Sequence, residues 1–519
     1  MDTSKVILEP SKELKAGQIR NFYAIAQGSG EPYIQRCEIF APIKQNATTR
    51  IKRRLSVVHA TDFQLSDPSS PARFEFVNKH FGIASAEELF PGHRSQELLA
   101  PFAISASIKY INELARERGI DMCVITGDTI DNGQCNEMDL LITLLTDTKF
   151  SPSKSLGSYF GVQSKDWNDD FYWHPSNDTD KTQVMLGYPR VDGLLEALDQ
   201  VYDNEPLEIP WLISNGNHES LIQGMGFHSD AVEAFALGSE KPLGPVDELD
   251  LSSVKEVFQR TPEKFFAQLN TREVARNPSR SRLSSKDFIQ AVKTASGSPA
   301  MHGFADHTPE DDHVYFFHYD TETDCLYIFL DTAVRSGGAS GGIDKQQFGW
   351  LKQILLNQVA SRNNRSAIVI ISSHHGLEEI NFDHDSDVSR DDLLGLIFTY
   401  PEIKLWLCGH THVNEIMAYS NPNYPGAGFY QITTASLMDW PCTIRTIEIF
   451  DHQDQSTELQ ITVHTISEGR PTGLLDTHDL ANWHVLIAGN SPYIGFKSSL
   501  EGQRSDRNVR AWIGPTKIH

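Results

Sequence analysis

The sequence predicts an α/β fold, two packed mixed β-sheets flanked by helices. Three observations predict it. From Arg54 onward, short apolar runs that read as buried strands alternate with amphipathic stretches of helical period. Beyond Val413 the pattern turns β-rich. Five of the apolar runs end in polar clusters, as expected where the strands of an open α/β sheet meet a ligand.

The elements follow in order. Residues 55–60 read as a buried strand, and residues 95–118 as a long helix with Leu98, Leu99, Phe102, Ile108, Ile111 and Leu114 on one side. Residues 121–126 are the next strand, which completes a βαβ unit covered on both faces. A helix near 191–202 leads to a strand at 210–214, one near 344–359 to 366–372, and one near 391–400 to 403–408. Strands at 413–419, 428–434, 443–450 and 459–465 close the series.

This pattern places a main domain at 54–466, preceded by an N-terminal extension (1–53) and followed by a turn-rich tail (467–519) packed on the domain. Two long interruptions, 150–190 and 220–313, read as cap insertions. The first is rich in Trp, Tyr, Asp and Asn, a composition suited to an ordered cover. The second carries a helix near 254–269.

Of the 519 residues, 39% are apolar and 22% charged, the balance of an ordinary soluble globular protein. The formal net charge of −24 opposes general affinity for nucleic acid or anionic membrane, which requires clustered Lys and Arg. Six cysteines lie far apart with no C-x-x-C pair, and Cys123 and Cys408 sit inside apolar runs, so free buried thiols are expected. No run is long enough to span a bilayer and the first ten residues contain no apolar leader core, so the default expectation is a cytoplasmic protein.

The polar clusters carry the chemistry. In order they are Asp62-Phe-Gln64, Gly127-Asp128-Thr-Ile-Asp131, Gly216-Asn217-His218-Glu219, His374-His375-Gly376 and Gly409-His410-Thr-His412. Each alone is compatible with a turn, a cap or core packing. Together, each after a strand, they describe a two-metal hydrolytic centre. Imidazole suits Zn and Fe, and carboxylate or amide oxygen suits Mg and Mn. Two metals about 4 Å apart need a bridging carboxylate and together generate a bridging hydroxide near neutral pH. Asp128 is the natural bridge, and Asn217 supplies a neutral oxygen that leaves net positive charge for a phosphate. Asp131 reads as a loop-fixing residue, and Gln64 stands where such a centre would normally have a histidine.

The order D-x-H, GD-x-x-D, GNH(D/E), strand-terminal histidine and GHxH is that of the calcineurin-like metallophosphoesterase superfamily, which this chain resembles from about Ser56 to Phe450. The run from Phe329 through Gly341, Gln347 and Trp350, ahead of the histidine strand, is similar to a stretch common in that superfamily. The run from Ile432 to Pro441, with Arg445, resembles the ending of a bacterial subgroup with D-x-Q in place of D-x-H. The resemblance implies the calcineurin-like phosphoesterase sandwich, with Asp62 and His412 on a first metal, Asp128 bridging, and Asn217, His374 and His410 on a second. His374 is preferred to His375 because the family ligand is generally followed by one residue and then Pro or Gly. His218 would stabilise the phosphoryl group or protonate the leaving oxygen.

The metal-ligand set is therefore Asp62, Gln64, Asp128, Asn217, His374, His410 and His412, with His218 catalytic. The cofactors implied are two divalent ions (Mn, Fe, Zn or Mg). Gln64 weakens the first site, because an amide oxygen binds Zn or Fe less well than imidazole, and it shifts preference toward Mn or Mg. The function implied is hydrolysis of a small-molecule phosphate mono- or diester. The alternative is a weakly active or non-catalytic binding protein on a degenerate phosphoesterase fold. A nuclease fits the chemistry but not the charge.

Overall fold

Alternation along the strands sets the layers of this protein. In the computed structural model, which describes residues 1–42, 50–80, 91–245, 254–266, 269–308, 310–360, 367–474 and 476–515, Cys325, Tyr327 and Phe329 join one core with Ile368, Ile370, Leu405 and Leu407. Their chain neighbours Leu326, Ile328, Val369, Ile371 and Trp406 join a second core. Successive side chains of a strand point to opposite faces, so each of these runs is buried on both sides.

One sheet has six strands in the order Phe316–Asp320, Cys325–Phe329, Ile368–Ser372, Ile403–Cys408, Gly428–Thr433, Glu415–Ser420. Its three central pairings are parallel and its two outer pairings antiparallel. The other has seven strands: Ile34–Arg36, Val509–Ile513, Thr457–Thr465, Thr443–His452, Arg50–Ala60, Met122–Ile125, Trp211–Ile213. Its last three strands are parallel. Val57, Ile447 and Ile461 of the second sheet share the first core with Tyr327 and Leu405, so the two sheets pack face to face. This is the predicted class, mixed α/β with two sheets flanked by helices.

Helices Lys345–Leu355 and Arg390–Phe398 cover the outer face of the six-stranded sheet with Phe348, Leu351, Leu393 and Ile397. Side-chain caps begin both: Asp344 accepts from the Gln347 N–H at 2.7 Å, and Ser389 from the Asp392 N–H at 3.1 Å. Helix Ala100–Arg118 ends at Gly119, whose φ of 68° would strain any residue with a Cβ. It packs against helix Thr477–Asn490. Residues 467–519 thus supply a helix and a sheet strand. Residues 1–42 supply the Ile34–Arg36 edge strand and a separate hairpin, Val6–Lys15 with Phe22–Ser29.

Two helices differ from expectation. The one expected near 191–202 is a single turn, Leu194–Ala197, entered from Gly193 in a left-handed conformation (φ 89°) that a longer helix could not run through. The one expected near 254–269 is two pieces, Val254–Arg260 and Glu263–Phe266, because Pro262 disfavours helical backbone at Thr261; residues 267–268 of that stretch lie outside the described ones. In the 150–190 segment Trp167, Tyr172, Trp173 and Tyr188 are all buried. The six cysteines are free thiols, and Cys123, Cys325, Cys408 and Cys442 are buried. Among the described residues no helix is long and apolar enough to cross a membrane.

Ile487 is fully buried in helix Thr477–Asn490. Ile487→Ala is expected to destabilise the fold by about 2–5 kcal/mol, read as a lower urea midpoint at unchanged slope. A midpoint equal to that of the parent would show that this helix is not integral to the core.

Candidate metal centre

Parallel pairing aligns the strand ends. Arg50–Ala60, Met122–Ile125 and Trp211–Ile213 end side by side, as do Ile368–Ser372 and Ile403–Cys408 in the opposing sheet. Beyond those ends the backbone keeps bonding. The Asp62 N–H donates to the Gly127 carbonyl at 3.1 Å, Gln64 N–H to Asp128 at 2.9 Å, and Gly409 N–H to His374 at 2.9 Å. Asp62, Gln64, Asp128, His410 and His412 all sit at positive φ, between 43° and 69°. Such clustering of left-handed non-glycine residues is typical of ligand-holding loops. Two glycines make room for it. A Cβ on Gly216 would lie 2.2 Å from Asp128 Oδ1, and one on Gly409 2.3 Å from Asp62 Oδ2.

All eight residues expected at the site converge. His374 Nε2 faces Asp128 Oδ2 at 2.9 Å and Asp62 Oδ1 at 4.0 Å, and His412 Nε2 faces Asp62 Oδ1 at 3.2 Å. The rings of His374 and His410 lie 5.2 Å apart. Gln64 Nε2 lies 3.3 Å from Nε2 of both His218 and His412. Asn217 uses its amide N–H to bond the Gly224 carbonyl at 2.8 Å. Buried Gln64 Oε1 and Asn217 Oδ1 have no hydrogen-bond partner, and Asp62 Oδ1 and His374 Nε2 have only the close carboxylate–imidazole approaches just described. Orphaned buried acceptors are costly in a native protein. Here they point into one cluster of carboxylate, amide and imidazole donors, the set that divalent metals satisfy. Asp62, Asp128 and His374 form one compact group of metal-binding geometry, and His374, His375 and His410 another. Both nitrogens of His375 are already engaged, by Thr332 Oγ1 at 2.8 Å and the Ala339 carbonyl at 3.0 Å.

Outer contacts orient these groups. His374 Nδ1 donates to the Thr126 carbonyl at 2.8 Å, which aims Nε2 at the carboxylates. His412 Nδ1 bonds Asp439 Oδ2 at 2.7 Å, and Arg94 holds the same carboxylate through Nε and Nη2 at 2.8 and 3.0 Å. His218 Nδ1 lies 2.9 Å from Asp131 Oδ1, and Asp131 is paired with buried Arg73. Glu219 accepts from the Gly216, Asp128 and Thr129 N–H groups at 2.7, 3.0 and 2.6 Å. Asp439, Arg94, Arg73 and the anchoring role of Glu219 have no spacing signature in the sequence. Asp439 was visible only as part of the segment 432–441.

Burial opposes charge on every group here, and at Asp62, Asp128, His374 and His412 the carboxylate–imidazole contacts outweigh it. Despite burial, His412 and His374 hold the Asp62 carboxyl below its usual range, and His374 and His218 do the same for Asp128. Against the same burial, Asp128 lifts His374 to about 9, and Asp62 with Asp439 lifts His412 to about 10. Burial and the neighbouring His374 push His410 down to about 3.

A cavity of about 270 Å³ opens over the cluster. Gln64, Asp128, Asn217, His218, His410 and His412 form its polar floor, while Asp62 and His374 lie fully buried behind them. Phe74, Met225 and Phe258 form an apolar wall, so the 220–313 segment contributes to the cavity. Among the described residues, the aromatic 150–190 segment contributes none.

Two packed sheets thus present a buried carboxylate–amide–imidazole set at a common strand edge, a donor set that fits divalent metal ions. The chain belongs to the calcineurin-like phosphoesterase family, whose sequence pattern matches residues 55–414. No curated protein matches the sequence. Among solved structures it is similar to a dimetal phosphatase from Danio rerio (11% identity, 82% of this chain and 98% of that one, TM-score 0.34). It is also similar to GAP50, the anchor in the inner membrane complex of Plasmodium (10%, 84% and 95%, 0.29), and to 5'-nucleotidase from Candida albicans SC5314 (10%, 77% and 48%, 0.25).

Asp439→Asn removes the carboxylate behind His412 and leaves Arg94 unpaired. It is expected to weaken metal binding about 10–100-fold, measured by titrating metal into chelator-treated protein. Unchanged affinity would remove Asp439 from the support of the centre.

Proposed function

We propose that the chain hydrolyses phosphate mono- or diesters with two divalent metal ions. Asp62, Gln64 and His412 would hold the first, Asn217, His374 and His410 the second, with Asp128 between them. The observation that carries this reading is the set of buried metal-ligating atoms on Asp62, Gln64, Asn217 and His374, two of them amide oxygens with no hydrogen-bond partner, converging from separate strand ends. When bound, the metals would polarise the phosphoryl oxygens and acidify an attacking water.

The chain's own groups do the rest. His218 is fixed through Nδ1 by Asp131, which leaves Nε2 toward the cavity, 3.7 Å from Asp128 Oδ2. In that position it would protonate the leaving oxygen or hold the phosphoryl group. Buried Arg73 offsets the burial of Asp131 and holds its carboxyl below the usual range, so the His218 ring has one fixed orientation. Phe74, Met225 and Phe258 line the same cavity and would cover the ester's organic group. A weakly active binding protein is the second reading. It is favoured by Gln64, whose neutral amide lies between His218 and His412.

Purified protein with added Mn is expected to release p-nitrophenol from p-nitrophenyl phosphate or its bis-ester. His218→Ala should lower kcat by about 10²–10⁴-fold at unchanged metal content, and Gln64→His should tighten the first metal. Full activity in Asp128→Ala would overturn the assignment. Fewer than about two metals per chain, with no turnover of either ester, would favour the binding protein.

A further inference from the structure

The C-terminal segment reaches the metal cavity. Ile494 and Leu500 line it together with Phe74, Val77, Met225 and Phe258. The last four share one small apolar cluster, in which the Phe74 and Phe258 rings meet edge to face at 4.6 Å. The segment is tied to the supports of the centre. Phe496 packs on Trp440 at 4.7 Å, and the Trp440 indole N–H donates to Glu501 at 2.8 Å. The Asn414 N–H donates to the Leu500 carbonyl at 3.1 Å. Trp440 follows Asp439 and Asn414 lies two residues beyond His412, so the loops that carry the centre also hold this segment.

Outside the polar floor, the polar side chains of the lining are already engaged. Gln223 accepts from the Phe74 N–H at 2.7 Å and donates to the Gly92 carbonyl at 2.8 Å, which occupies both ends of its amide. Asp131 is held by Arg73 and His218, Asp439 by Arg94 and His412, and Thr411 Oγ1 is buried. Arg94 uses Nε and Nη2 on Asp439, which leaves Nη1, a charged donor suited to a phosphoryl oxygen. Among the described residues, that leaves no uncommitted side chain outside the floor for a sugar hydroxyl, a base or an amide. Polar groups buried against such a lining lose their hydration without compensation.

We propose that the cavity takes a phosphate ester whose organic group is apolar, an aryl or short alkyl group seated against Phe74, Phe258, Ile494 and Leu500. The proposal rests on the phosphoesterase reading and names the substrate class of that same site. A larger groove of about 1060 Å³ adjoins the cavity through Met225, Ala339, His410 and Thr411. It is the rival seat, for a polar arm. Its four carboxylates outnumber its three Lys and Arg side chains, so it exerts no pull on an anionic ester.

The test is calorimetric titration of the full Mn-loaded chain with benzylphosphonate and with 2-hydroxyethylphosphonate. Both carry the same charged head and have no ester bond to hydrolyse. Benzylphosphonate is expected to bind about tenfold tighter or more. Leu500→Ala and, separately, Ile494→Ala should each cut that preference about fivefold. Both side chains are half-buried, so neither variant should lose its fold. Equal affinities, or tighter binding of the hydroxylated probe, would overturn the proposal in favour of the adjoining groove. So would failure of both probes to bind, or a parallel loss of both in the variants with the preference kept. The readout needs no turnover. The preference in a chain that hydrolyses no ester would remove the hydrolase reading alone, and hydrolysis without the preference would remove this proposal alone.

Discussion

One buried carboxylate ties the functional loops together. Glu219 accepts N–H groups from Gly216 in its own loop and from Asp128 and Thr129 in the next, and also the Thr129 hydroxyl at 2.7 Å. It thereby welds the ends of two neighbouring strands and holds Asp128 in its left-handed conformation. Burial raises its pKa, yet with the Ile130 N–H at 3.3 Å five donors surround it, which is how a carboxylate survives in an interior. The placement of Asn217, His218 and Asp128 relative to one another follows from this single group.

The same logic recurs one layer out. Asp131 sits between His218 and Arg73, Asp439 between His412 and Arg94, and the Thr126 carbonyl behind His374. Each ring therefore has one nitrogen fixed and the other aimed inward. Removing either member of a buried charged pair leaves an uncompensated charge, which is far costlier than the pair is worth. The arginines are thus as much part of the centre as the residues that face it, and they rigidify it before anything binds.

The inner groups were legible in the sequence because each follows a strand that reads clearly from its apolar run: Asp62 after Val57-Val58, Asp128 after Val124-Ile125, His410 after Leu405–Leu407. The outer ones were not. Arg94 reaches Asp439 across 345 residues, and no local pattern encodes that contact. Helix Thr477–Asn490 was hidden for a different reason. Eleven of its 14 residues are buried, so it lacks the one-sided apolar stripe that betrays a surface helix, and its flanks are rich in Gly and Pro. The strand Val509–Ile513 is short and lies in the same turn-rich stretch. The helix expected near 191–202 failed on a local detail, the left-handed Gly193.

The positive φ angles bear on how residue 64 can change. Asp, Asn and His tolerate left-handed backbone better than other side chains do, so metal chemistry and backbone geometry favour the same residue types at Asp62, Asp128, His410 and His412. Gln64, at φ 43°, is the member with no such conformational advantage. Glutamine and histidine codons differ in one third-position base. A change to histidine at this position is therefore a single mutational step away and would meet no resistance from the backbone, so nothing in the conformation of the loop holds the amide in place.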